Sequence, residues 1–199
     1  MKFIASKYQS TVPDSEDPPG PLPTEDSVDG TFISEINTLL TSYIDAMESV
    51  KLRLGLHIIM QISARGNLYL QQSSLGNALL ASDPKRCAQV ISRALNLIYA
   101  LSALVHPFMP STSTSILEQL NAPPRTVPLV LGTDILAGHV IGNPAYLFKK
   151  IEESAAEKWR VQYGGSPATA VEASTGPTAK PVSKPRSSKK KSGAEKQAK

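Results

Sequence analysis

Lys51 to Gln72 reads KLRLGLHIIMQISARGNLYLQQ, and the rest of the chain is best understood outward from it. Leu52, Leu54, Leu56, Ile58, Ile59, Met60, Ile62, Leu68, Tyr69 and Leu70 place apolar groups almost all round a helix over residues 50–72. A helix that is apolar on every side is expected to be central and buried. Gly55 and Gly66 lie inside it, and each costs about 1 kcal/mol relative to alanine if helical, which predicts close packing or a local distortion at both.

The neighbouring segments supply partners for such a helix. From Thr31 onward, Phe32, Ile33, Ile36, Leu39, Leu40, Tyr43, Ile44 and Met47 recur at helical spacing, with Glu35, Asn37 and Ser42 on the other side. Asp83 and Pro84 mark a helix start, because the carboxylate can accept from free amides and proline is pre-set for the first turn. That helix is predicted to run to about Val105, since His106 precedes Pro107. A shorter helix follows, with Ser115 and Glu118 at capping-box spacing, and ends before Pro123 and Pro124. Four helices with short connections predict an all-α fold, a helical bundle. Residues 125–148 have no clear period, although VPLVLG and GHVIG could form short extended pieces. Ile151, Ala155, Trp159 and Tyr163 fall four apart on a last helix stopped by Gly164 and Gly165.

The two flanks differ in kind. Residues 11–30, TVPDSEDPPGPLPTEDSVDG, hold five prolines and six acidic residues, and read as an acidic linker that neither sustains a helix nor buries a core. Residues 166–199 are a low-complexity tail with eight basic side chains against Glu172 and Glu195, a net of +6. The whole chain carries +4, so residues 1–165 carry −2 and offer no broad basic surface for nucleic acid. One cysteine, Cys87, excludes an internal disulfide and gives no zinc spacing. The apolar stretch Ala94 to Val105 is interrupted by Asn96 and Ser102 and falls short of the ~20 residues a membrane span requires. A soluble, cytoplasmic protein in a reducing compartment is expected, without a membrane partner.

Several segments agree with one family. SARGNLYLQQ (Ser63 to Gln72), NLIYALSALVHPFMP (Asn96 to Pro110), ILEQLNAPP (Ile116 to Pro124), GHVIGNPAYLFKKIE (Gly138 to Glu152) and EKWRVQYGG (Glu157 to Gly165) together resemble the C-terminal anticodon-binding domain of methionyl-tRNA synthetases, of the fungal cytosolic type. The resemblance spans nearly all of the chain to Gly165. It implies the helical anticodon-binding fold of class I aminoacyl-tRNA synthetases over residues 31–165, with residues 1–10 as the end of the helix that leads into the domain. It implies tRNA for methionine as the ligand, with other translation or synthetase-complex proteins as further partners. The histidine-glycine and lysine-serine motifs of the family's catalytic domain do not occur here. The chain alone is therefore expected to need no cofactor and to be inactive in ligation, ATP belonging to the catalytic domain of the full-length enzyme. The alternative is a stand-alone helical module that binds RNA or protein.

Splayed loop bases are read by stacking and by hydrogen bonds to their exposed edges. The family's Asn and Arg readers would precede Met1. Its Pro-Trp pair, which supplies a stacking ring, falls at Leu75 and Gly76. The remaining tRNA-binding candidates are Arg65, Asn67, Gln71, Gln72, Gly76 and Asn77. Tyr69 matches a family position, yet on a buried helix it reads as a core ring with a tethered hydroxyl. His106 and His139 read as structural, and Cys87 as a small core or surface residue. Lys184, Arg186, Lys189, Lys190 and Lys191 of the tail can neutralise phosphates without reading sequence.

Overall fold

A computed structural model describes residues 1–16, 20–21, 27–148 and 151–164. Helices α1 (Lys2–Lys7), α2 (Val28–Glu48), α3 (Leu52–Gln72), α4 (Asn77–Ser82), α5 (Pro84–Val105) and α6 (Pro110–Leu120) build the bundle. The all-α expectation holds, with one addition: β1 (Gly20–Pro21) pairs antiparallel with β2 (Gly132–Thr133). Residues from 150 onward form a second unit, whose described helix, α7 (Glu153–Tyr163), buries none of its own residues. The basic residues Lys184 to Lys191 lie outside the described residues.

The core is in two parts, and α5 belongs to both. Val90, Leu97, Ala100 and Leu104 face Phe32, Ile36 and Leu40 of α2 and Ile58, Ile59 and Ile62 of α3. Cys87, Ile91, Leu95 and Tyr99 instead face Ile4 of α1, Ile116 and Leu120 of α6, and Ile135 and Ile141 beyond it. Two apolar stripes on one helix leave little of it for water, and fifteen of its 22 residues are buried. By length and composition α5 is apolar enough to cross a membrane, contrary to the sequence expectation, but 78% of that window is buried inside the bundle.

Helix starts and stops follow local chemistry. At α5, Asp83 Oδ1 accepts from the Arg86 amide at 2.9 Å and Pro84 opens the helix, as predicted. Three turns share the Schellman pattern, in which the last carbonyls accept from the amides of a left-handed residue and of the residue after it. That residue is Val50 (φ 55°) after α2, Ser74 (φ 50°) after α3 and Asn121 (φ 51°) after α6. In the first turn, Val50 N donates to Met47 O at 3.0 Å and Lys51 N to Ala46 O at 2.8 Å. Asparagine tolerates this conformation, whereas β-branched valine is strained in it.

Four sequence expectations are corrected. Helix α2 starts at Val28 rather than Thr31, because Ser27 Oγ accepts from the Gly30 amide at 3.0 Å and caps it. Helix α6 starts at Pro110, so Ser115 and Glu118 lie within it and form no capping box. Residues 11–16 are not a free linker: Val12 is buried, Thr11 bridges Val140, and Glu16 pairs with Lys85 at 2.6 Å. Helix α3 is not enclosed on every side, for Leu52, Leu54, Leu56, Met60 and Leu68 are all exposed. Its two glycines do mark close packing: a Cβ on Gly55 would lie 2.7 Å from Met47 Sδ, and one on Gly66 would lie 2.4 Å from Leu97 Cδ2.

Asn96, which breaks the apolar run of α5, fastens the irregular segment after α6. Its Oδ1 accepts from the amides of Asp134 and Ile135, both at 2.8 Å, and its Nδ2 donates to Ser92 O at 3.0 Å and to Ile135 O at 3.3 Å. Asn37 does the same from α2, accepting from Leu131 N at 2.7 Å. These bonds satisfy the amides of Leu131, Asp134 and Ile135, which flank the short β2 pairing, as buried backbone requires. Of the two pieces without clear period, VPLVLG contributes only Gly132 to β2, and GHVIG contributes the Val140 bridge.

Candidate nucleic-acid interface

The candidates from the sequence collect at the C-terminal end of α3 and the turn that follows. Asn67 and Gln71 are four apart, hence one above the other on the helix, and both are exposed. Gln72 ends the helix and is exposed as well, with its Oε1 accepting from Arg65 Nη1 at 3.4 Å. The chain then turns at Ser74, whose amide donates to Gln71 O at 3.0 Å, while Leu75 N donates to Leu70 O at 3.2 Å. Gly76 precedes α4 in an extended conformation (φ 179°) that any residue could adopt, and Asn77 opens α4 exposed to solvent. Four amide side chains thus border one turn.

Arg65 is placed differently from the other candidates. Its side chain is only 14% exposed, its Nε donates to Glu35, and its guanidinium lies 5.4 Å from the Phe32 ring centre. It is spent in the seam between α2 and α3.

Beneath the turn the structure is fixed by apolar and ionic anchors. Leu75 packs against both parts of the core. Tyr69 is fully buried and stacks on Phe32 with ring centres 4.1 Å apart, and its hydroxyl donates to Asp29 Oδ1 at 2.8 Å, the tethered core ring expected. Asp29 also accepts from Arg86 Nη2 at 2.7 Å, from Arg86 Nη1, and from Arg93 Nη1 at 2.7 Å. One carboxylate therefore joins the start of α2, the end of α3 and the first turns of α5. Burial by itself would raise the Asp29 carboxyl, but the Arg86 and Tyr69 donors and the charges of Arg93 and Arg86 outweigh it and hold the group below the usual carboxylate range. Tyr69 is pushed up by burial and by the Asp29 charge. Asp29 was missed by the sequence reading, which assigned it to the acidic linker; its partners lie 40, 57 and 64 residues away.

The other flagged side chains are structural. His139 Nε2 is 2.7 Å from Leu120 O and tethers its segment to the end of α6. His106 is the C-cap of α5, and Cys87 is fully buried in the core. Among the described residues, no three His, Cys, Asp or Glu side chains converge as a metal site would require.

Residues 21–168 match the family described as the anticodon binding domain of methionyl tRNA ligase. The chain belongs to this family. Among its relatives, the probable cytoplasmic methionine–tRNA ligase of Schizosaccharomyces pombe is 45% identical over 166 residues, covering 83% of this chain and 21% of the ligase. The cytoplasmic methionine–tRNA ligase of Saccharomyces cerevisiae is 36% identical over 165 residues, covering 83% and 21%. The chain thus spans about a fifth of the length of these relatives. Apo methionyl-tRNA synthetase of Mycobacterium tuberculosis shares the fold, with a TM-score of 0.58 at 18% identity over 75% of this chain and 30% of that one. As an anticodon-binding domain, the chain has a solvent-facing set of amides mounted on buried anchors.

Proposed function

We propose that this domain holds the anticodon loop of a methionine tRNA during ATP-dependent ligation of methionine to that tRNA, in the cytoplasm. The observation that carries the reading is the family match over residues 21–168. The exposed Asn67, Gln71, Gln72 and Asn77 beside the Ser74 turn support it. A side-chain amide offers two donors and an acceptor, the complement of a base's exposed hydrogen-bonding edge. In this reading Asn67, Gln71 and Asn77 contact loop bases. Arg65 and Gly76 shape the surface, Arg65 by steadying Gln72. The chain supplies binding and orientation, since energy gained at a remote site can position the reacting end of a substrate. The chemical step takes place in the catalytic part of a ligase. The basic tail adds phosphate contacts that do not read sequence.

Filter binding of the chain to a methionine tRNA transcript, and to the same transcript with a changed anticodon, tests this reading. Preference for the natural anticodon is expected. Joint replacement Asn67→Ala and Gln71→Ala should weaken binding by about tenfold or more, as loss of two hydrogen bonds of ~1 kcal/mol predicts, without lowering the melting temperature. Equal affinity for both transcripts would overturn anticodon reading. Truncation after Gly165 should weaken binding at low salt and flatten its salt dependence; unchanged low-salt affinity would remove the tail from the proposal.

A further inference from the structure

Leu52, Leu56, Met60, Ala64 and Leu68 stand at strict four-residue spacing on α3, and all five are exposed, Leu52 by 52% and Met60 by 50%. Residues four apart form the ridge that fits the groove of a neighbouring helix. At 1.5 Å per residue the ridge is about 24 Å long, and no described residue covers it. Scattered exposed apolar residues are ordinary, but a continuous row along a whole helix marks a contact surface.

The charges beside the ridge select its occupant. Lys51, Arg53 and His57 flank its beginning around an open concavity of about 670 Å³, and the first turn of α3 has no acidic residue. Positive charge there opposes the helix dipole, so a partner with carboxylates relieves both. Through α3 alone a second copy offers no carboxylate, because α3 contains no Asp or Glu, and a parallel pairing would bring Arg53 against Arg53. The turn leading into the ridge places Val50 in a strained left-handed conformation with its side chain 76% exposed, which fixes where α3 begins. In the fungal ligases the matched region is 21% of the protein, so 79% lies outside it.

We propose that this ridge is the docking surface for an apolar, carboxylate-bearing helix from the part of a methionine–tRNA ligase outside the matched region. The inference rests on the reading of the domain as part of a ligase and is independent of its RNA contacts. Docking there fixes the domain's orientation through α3, whose far end carries Asn67 and Gln71.

Thiol labelling tests it. Met60→Cys introduces an exposed thiol, while the native Cys87 is fully buried. The same substitution is made at the aligned position of the intact S. pombe ligase, and maleimide labelling at that site is followed by mass spectrometry. Labelling in the ligase should be at least about tenfold slower than in the isolated chain, because it must wait for local opening. A cysteine at Asn77, on the tRNA-facing end, should react equally fast in both. Leu56→Cys provides a second variant with the same expectation. Equal rates at positions 56 and 60 would overturn the proposal. So would protection that appears only when tRNA is added, or dimerisation of the chain that itself protects Met60. Because tRNA affinity is measured separately, loss of anticodon discrimination with protection intact would count against the RNA reading and leave the docking surface standing.

Discussion

Helices α3 and α5 are almost equal in length, 21 and 22 residues, and both are rich in leucine and isoleucine, yet α5 buries fifteen residues and α3 only six. The difference lies in the number of neighbours. Helix α5 has α2 and α3 on one side and α1 and α6 on the other, whereas the described core contacts of α3 lie on a single side, toward α2 and α5. An apolar composition states what a helix can bury, and the surrounding elements decide how much of it is buried.

Truncations in the two helices should therefore differ sharply. Leu104→Ala, in the fully buried stripe of α5, is expected to cost about 3 kcal/mol through lost transfer energy and an unfilled cavity. Met60→Ala, on the ridge of α3, should change stability by about 0.5 kcal/mol or less. Urea unfolding of both variants checks the pair, and similar losses would mean that the ridge is covered within this chain.

The ionic knot at Asp29 binds the two helices at one end, so breaking it should loosen α3 from α5 without touching the apolar core. Asp29→Asn is expected to cost about 3 kcal/mol, because two guanidinium groups lose their shared charge. The acid dependence follows from the lowered carboxyl. Asp29 contributes its stabilisation in full above the unfolded value near pH 4, and the contribution is lost as pH falls through the lower folded value. Thermal melts between pH 7 and pH 2 should show a steeper acid decline in the parent than in the variant. A smaller effect is expected at the other end of α3. Val50→Gly relieves the left-handed strain and should stabilise by about 1 kcal/mol, while Asn121→Gly, already at a tolerant residue, should change little.

The sequence showed α5 clearly because its signals are local: Asp83 and Pro84 start it, and His106 with Pro107 end it. The start of α2 was obscured because Ser27 follows a proline-rich run, and one hydroxyl-to-amide bond decides the cap. The enclosed reading of α3 failed because periodicity cannot count neighbours. At the candidate interface, the amides of Asn67, Gln71, Gln72 and Asn77 were visible as polar residues around a turn, and the buried role of Tyr69 followed from its helix. Asp29 and the engagement of Arg65 by Glu35 were not visible, since both depend on residues brought together from far along the chain.

The Asn96 side chain has a further consequence for how the molecule opens. It holds Asp134 and Ile135 directly to the most enclosed helix, so that segment cannot detach without exposing an amide buried in α5. Its backbone should exchange hydrogen with solvent only when α5 itself unfolds, which makes an irregular stretch part of the same cooperative unit as the helix farthest from water.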